Sequence, residues 1–234
     1  MIAQAIGDAF GLLLSGDRAL WHIIGVSLAT TLSALILATP LALWLGYVIA
    51  SYRFRGRRLA IWLVQATLSV PTVLVGLLLY LLLSRQGPWG GLGWLFSQPG
   101  LVLGQLLIAL PVLVAFTLAA VQGADARYAE TAIAHGASRW RTMLTVLHEV
   151  RFGVMAAVIS GFGRVISEVG CALMVGGNIA GQTRTITTAI ALETSKGEFA
   201  QGIALGMVLI TLALLLNGVL MLLQGDAHAA GRRA

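Results

Sequence analysis

Apolar stretches of about 20 residues recur five times along this chain, and each is long enough to cross a bilayer as a helix. They run from about Leu20 to Ala50, Leu59 to Leu83, Gly100 to Val121, Phe152 to Val175 and Ile203 to Leu223. Pro40, Pro71 and Pro111 fall inside the first three, where a missing backbone N–H permits a kink. Only 10% of the 234 residues are charged and 58% are hydrophobic, whereas soluble domains carry roughly a quarter charged residues. The pattern excludes a soluble core. It predicts an all-α membrane protein with about five transmembrane helices.

The formal charge of +6 does not indicate nucleic-acid binding, because the basic residues sit in short loops between apolar runs rather than on one polar face. Their distribution instead predicts orientation. Arg53, Arg55, Arg57, Arg58, Arg127, Arg139, Arg141, Arg151, Arg232 and Arg233 fall on one side of the five spans. Arg18, Arg85, Arg184 and Lys196 fall on the other, and Arg164 lies within a span. Ten against four places the first group in the cytoplasm, with the N-terminus outside and the C-terminus inside. Residues 1–18 are expected as an external segment, with Ile2, Ile6, Phe10 and Leu13 at the spacing of an interfacial helix. Residues 19–224 are expected to form a single transmembrane domain and 225–234 a cytoplasmic tail.

Two connections exceed turn length, and such segments usually carry function. Residues 176–201 form an external stretch rich in Gly and Thr, and residues 122–151 a cytoplasmic one of small and basic residues. Within the latter, Tyr128-Ala-Glu-Thr-Ala-Ile-Ala-His-Gly136-Ala-Ser138 reads as helix, break, helix. Alanines favour the first helix, Gly136 takes the left-handed conformation that ends it, and Ser138 caps the next. A low-relief helix of this kind suits a partner's grip, and a solvated amphipathic loop is the other reading.

This segment resembles the EAA loop of ABC importer permeases. Glu130, Ala132 and Gly136 match its spacing, Thr131 replaces the middle alanine, and Val146-Leu147-His148-Glu149 stands where Ile-x-Leu-Pro is usual. The run Gly163-Arg-Val-Ile-Ser-Glu-Val-Gly170, together with Val175 through Phe199, is similar to permeases of the molybdate, sulfate and tungstate group. Its Ala-Leu-Glu-Thr-Ser-Lys-Gly stretch points to tungstate, with molybdate or sulfate as alternatives. The resemblance implies a type I importer bundle with a cytoplasmic coupling helix. Glu130, Thr131, Ala132, Gly136, Ala137 and Ser138 would meet a separate ATPase subunit, which uses ATP and Mg, while this chain binds no cofactor. It also implies an external substrate-binding protein and a bacterial or archaeal inner membrane. Five helices make a thin wall for an anion path, so a homodimer is expected.

Arg164 and Glu168, four residues apart within the fourth run, are expected on one helix face. Intramembrane ions usually face a bundle interior or a water-filled path. The two either form a structural pair or gate the path, where the arginine fork would attract a dianion. Asn178, Thr183 and Arg184, with Gln182, Thr185, Thr187 and Thr188, supply donors suited to passing an oxyanion or to contacting a binding protein. Gly202 and Gly206 have the small-xxx-small spacing of a packing seam.

Catalytic chemistry finds no support. The chain has no phosphate-cradling Gly-x-x-x-x-Gly-Lys motif, and His148-Glu149 lacks the second histidine of a zinc site because Phe152 stands there. Lone Cys171 excludes an intrachain disulfide and reads as a buried, inert thiol. An ion-gradient-driven secondary transporter is the competing class, but it normally shows internal repeats, and none is visible.

Overall fold

The computed structural model of the chain describes residue 11 and residues 15–231. The interfacial helix expected from Ile2, Ile6, Phe10 and Leu13 lies outside the described residues, as do Arg232 and Arg233. Among the described residues the helices are α1 (Arg18–Ser51), α2 (Arg57–Thr67), α3 (Thr72–Leu83), α4 (Gln98–Gln122), α5 (Arg127–Ala134), α6 (Arg139–Glu149), α7 (Arg151–Ile166), α8 (Gly170–Gly176), α9 (Ile186–Lys196) and α10 (Phe199–Gly231). A 3-10 turn at Gly90–Leu92 lies in the loop between α3 and α4.

The apolar runs with no interruption besides proline become continuous helices. α1 opens where the Asp17 Oδ1 accepts from the Leu20 N–H at 2.8 Å, and it continues through Pro40. α4 continues through Pro111. α1, α4 and the Phe199–Gly218 part of α10 are each long and apolar enough to cross a membrane. Counting each of two bent helix pairs as one span raises the total to five.

Two of the expected spans are broken rather than continuous. The second divides into α2 and α3, bent by 96°, because Pro71 lacks the N–H that would carry the helix forward. Extended backbone at Pro71 (φ −60°, ψ 123°) then starts α3. The fourth ends at Ile166, and residues 167–169 separate it from α8. Glu168 therefore lies beyond the end of the helix that carries Arg164, and the expected shared helix face does not form.

Contacts divide the chain into two compact units, each assembled from three stretches of sequence. The first comprises Met1–Ala34, Pro71–Ile108 and Phe162–Leu216. Leu79, Leu83, Ile108, Cys171 and Val175 form one core cluster there. Glycines allow the close approach: a Cβ on Gly76 would lie 2.8 Å from the Cys171 Cα, and one on Gly104 the same distance from the Cys171 Sγ. A second cluster joins Leu20, Ile23 and Ile24 of α1 to Ile186 and Ala189 of α9 and to Ala204 and Leu205 of α10. The second unit comprises Leu35–Val70, Ala109–Gly161 and Asn217–Ala234. Its cluster of Tyr47, Val121, Met143 and Val146 connects the end of α1, the end of α4 and the buried side of α6. Helices surrounded by lipid gain little from hydrophobic burial, so close packing at small residues carries much of the cohesion. At the small-xxx-small positions of α10, Gly202 is buried, with Thr194 Oγ1 3.5 Å from an added Cβ, whereas Gly206 has nothing within 4 Å.

The external stretch at 176–201 is partly helical rather than a loop throughout. It contains α9, where Ile186, Thr187, Thr188, Ala189 and Glu193 are all buried.

Candidate functional site

The segment from α5 to α6 is built as the sequence predicts. At the end of α5, Gly136 has φ 75°, its N–H donates to the Ile133 carbonyl at 2.9 Å, and the Ala137 N–H donates to the Ala132 carbonyl at 3.0 Å. This is the paired closure of a Schellman motif, and the positive φ favours glycine. Ser138 then caps α6, its hydroxyl accepting from the Arg141 N–H at 3.4 Å. At the start of α5, Asp125 accepts from the Arg127 N–H at 2.9 Å and pairs with its guanidinium. Those contacts hold the Asp125 carboxyl below the usual carboxylate range, the side-chain hydrogen bond contributing most.

α5 and α6 border an open cleft of about 690 Å³. Thr131, Ala132 and Ala137 line it, joined by Tyr128, His135, Arg141 and Glu149. Glu130 is exposed beside the cleft without lining it, while Gly136 and Ser138 set the turn between the helices. Ile133 and Trp140, each 62% exposed, add apolar surface that the loop pattern alone did not single out. Large exposed apolar side chains next to a polar cleft that carries both signs of charge suit a protein partner.

The second group of predicted residues is arranged differently from expectation. Arg164 is exposed in the last turn of α7, and Glu168 is buried. No Arg164–Glu168 ion pair occurs among the described residues. The Glu168 Oε1 instead accepts from the Cys171 N–H at 3.0 Å, so the carboxylate caps the start of α8.

The threonines are committed to structure rather than left as free donors. Thr183 donates to the Gly176 carbonyl and accepts from the Ile179 N–H. Thr187 donates to the Glu168 carbonyl at 2.6 Å, and Thr185 with Thr188 forms a capping box on α9. Asn178 and Arg184 differ: the Asn178 Oδ1 and the Arg184 Nε are buried without a hydrogen-bond partner. Asn178 also adopts a left-handed backbone, φ 52°. These two retain polar capacity that the fold does not use.

Ser27 escaped the sequence reading. Its hydroxyl accepts from the Ile186 N–H at 2.7 Å, satisfying the first turn of α9 from α1. Replacing Ser27 by Ala leaves that buried N–H unpaired, at a cost of about 1–3 kcal/mol. Thermal unfolding of the detergent-solubilised variant should begin several degrees lower, and an unchanged midpoint would remove this contact from the stabilising set.

Comparison with known proteins gives these features a frame. The family model described as binding-protein-dependent transport system inner membrane component matches residues 38–226. The chain belongs to that family: it is a multi-pass inner-membrane protein and the non-catalytic transmembrane subunit of an ABC transporter. It is 40% identical over 216 residues to the tungstate uptake system permease protein of Campylobacter jejuni, covering 92% of this chain and 90% of that one. To the molybdenum transport system permease protein of Haemophilus influenzae it is 31% identical over 175 residues, covering 71% and 76%. Its fold is similar to that in the crystal structure of a bacterial ABC transporter that imports the acidic polysaccharide alginate. That match has a TM-score of 0.70 at 20% identity and covers 92% of this chain and 82% of the other.

Proposed function

We propose that this chain is the permease of an ATP-driven uptake system for a tetrahedral oxyanion, and that the oxyanion is tungstate. The α5–α6 segment carries the mechanical part of this reading. Its closed turn at Gly136 and its cleft give a partner ATPase a fixed surface to move, with Glu130, Thr131, Ala132, Ala137 and Ser138 at or beside the contact. The 40% identity to a tungstate permease over nearly the full chain supports the substrate.

In this reading a binding protein delivers the anion to the outer mouth, formed by two copies of the chain. The N-terminus lies outside and the C-terminus in the cytoplasm, as the arginine distribution supports. Arg164 and Arg184 supply cationic donors toward the path, and Asn178 a polar side chain. Glu168 acts by positioning: it fixes the break from which α8 departs.

Uptake of radiolabelled tungstate by cells carrying the permease, its ATPase and its binding protein tests the substrate. Excess unlabelled molybdate should compete weakly and excess sulfate not at all. Equal competition by tungstate and molybdate would overturn the assignment to tungstate while leaving the oxyanion permease intact. Arg184→Gln should lower tungstate uptake several-fold with membrane insertion unchanged, and wild-type uptake would remove Arg184 from the path.

A further inference from the structure

We propose that α2 is a membrane-surface helix that binds the headgroups of anionic phospholipids. Its position follows from a tether. The Arg57 Nε donates to the Ile49 carbonyl at 2.7 Å and the Arg57 Nη2 to the Ala50 carbonyl at 3.0 Å. These are among the last carbonyls of α1, a 34-residue apolar helix. The start of α2 is therefore held where a membrane-crossing helix leaves the hydrocarbon.

α2 has no buried residue. Leu59, Trp62 and Leu63 share one face by helical spacing and are 59%, 61% and 49% exposed. Gln65 and Arg58 lie along the neighbouring edge. Tyr52 and Phe54, in the connection before the helix, are also exposed. An apolar arc bordered by cations and aromatic rings is the composition of a helix lying in the headgroup region.

Charge selects the occupant. Arg53, Arg55 and Arg58 are exposed, and neither salt bridge among the described residues involves them. The sequence contains no Asp or Glu between Asp17 and Asp125. Three cations without carboxylates beside an apolar face match a surface with acyl chains below and phosphates at its rim. A second copy of α2 would bring like charges together.

The full-length permease with its ATPase, reconstituted in phosphatidylcholine vesicles containing a minority of phosphatidylglycerol, tests the assignment. Enrichment of spin-labelled phosphatidylglycerol over phosphatidylcholine at the protein surface is the readout. The Arg55→Gln/Arg58→Gln variant should lose about fivefold or more of that preference. The charge-matched Arg139→Gln/Arg151→Gln variant should retain it. A nitroxide placed by Trp62→Cys, with native Cys171 buried, should be reached by oxygen but not by an aqueous nickel chelate. Equal lipid preference in the two arginine variants would overturn the proposal. A nitroxide shielded from both reagents would also overturn it, assigning the face to a protein partner.

Discussion

Replacing Gly136 by Val is expected to reduce ATP-driven uptake sharply while the permease still inserts and assembles. Gly136 holds φ 75° at the end of α5, with nothing within 4 Å of an added Cβ, so the penalty is conformational rather than steric crowding. A non-glycine residue there costs about 1–2 kcal/mol, and a β-branched one lies at the upper end or beyond. That strain lowers the population of the docking-competent turn by roughly 5- to 30-fold. Gly136→Asn should recover most of the uptake, because asparagine tolerates the left-handed region. Membrane-fraction immunoblots alongside uptake separate coupling from folding. Equal uptake by the Val and Asn variants would show that the turn's geometry does not matter to transport.

Gly76→Leu is expected to have the largest effect on stability. The new Cβ would lie 2.8 Å from the Cys171 Cα and 3.1 Å from the Met174 Cβ. The first is a backbone atom, so α3 and α8 must move apart for the side chain to fit. Overpacking of this kind costs about 1–3 kcal/mol, and a rigid backbone neighbour places the case at the high end. Gly25→Leu is the matched control, since nothing lies within 4 Å of its Cβ. Size-exclusion profiles after a heating series should show Gly76→Leu aggregating first and Gly25→Leu near wild type. Indistinguishable profiles would contradict the close α3–α8 contact.

The sequence made the long helices and the coupling turn legible, for different reasons. α1, α4 and α10 follow from uninterrupted apolar length, a signal that needs no tertiary knowledge. The turn at Gly136 and Ser138 follows from local backbone chemistry, which a single sequence carries in full. The interruptions were harder to read. Pro71 was expected to kink a span and instead ends a helix, because propensity alone does not fix the size of a bend. Glu168 sits at helical spacing from Arg164, so the sequence suggested an ion pair. The choice fell to the free N–H of Cys171, which exists only once the helix has broken.

The threonine-rich stretch misled in the opposite direction. Thr183, Thr185, Thr187 and Thr188 read as donors for an oxyanion or a binding protein, yet each hydroxyl pairs within the fold, and Thr187 and Thr188 are buried in the first turn of α9. Threonine is ambiguous between cap and binding donor, and only its partners decide. One structural donor set crosses 159 residues of sequence, from Ile186 to Ser27, and has no local signature. The Asn178 Oδ1 and the Arg184 Nε, by contrast, find no hydrogen-bond partner within the fold.

Coupling of this chain to an external motor is tested most directly in proteoliposomes containing the permease, its ATPase and its binding protein. Tungstate uptake should require ATP and should disappear when the catalytic glutamate of the partner ATPase is replaced by glutamine, with the assembled complex intact. Uptake that continues with that ATPase variant, driven by an imposed ion gradient, would contradict the ATP-driven permease.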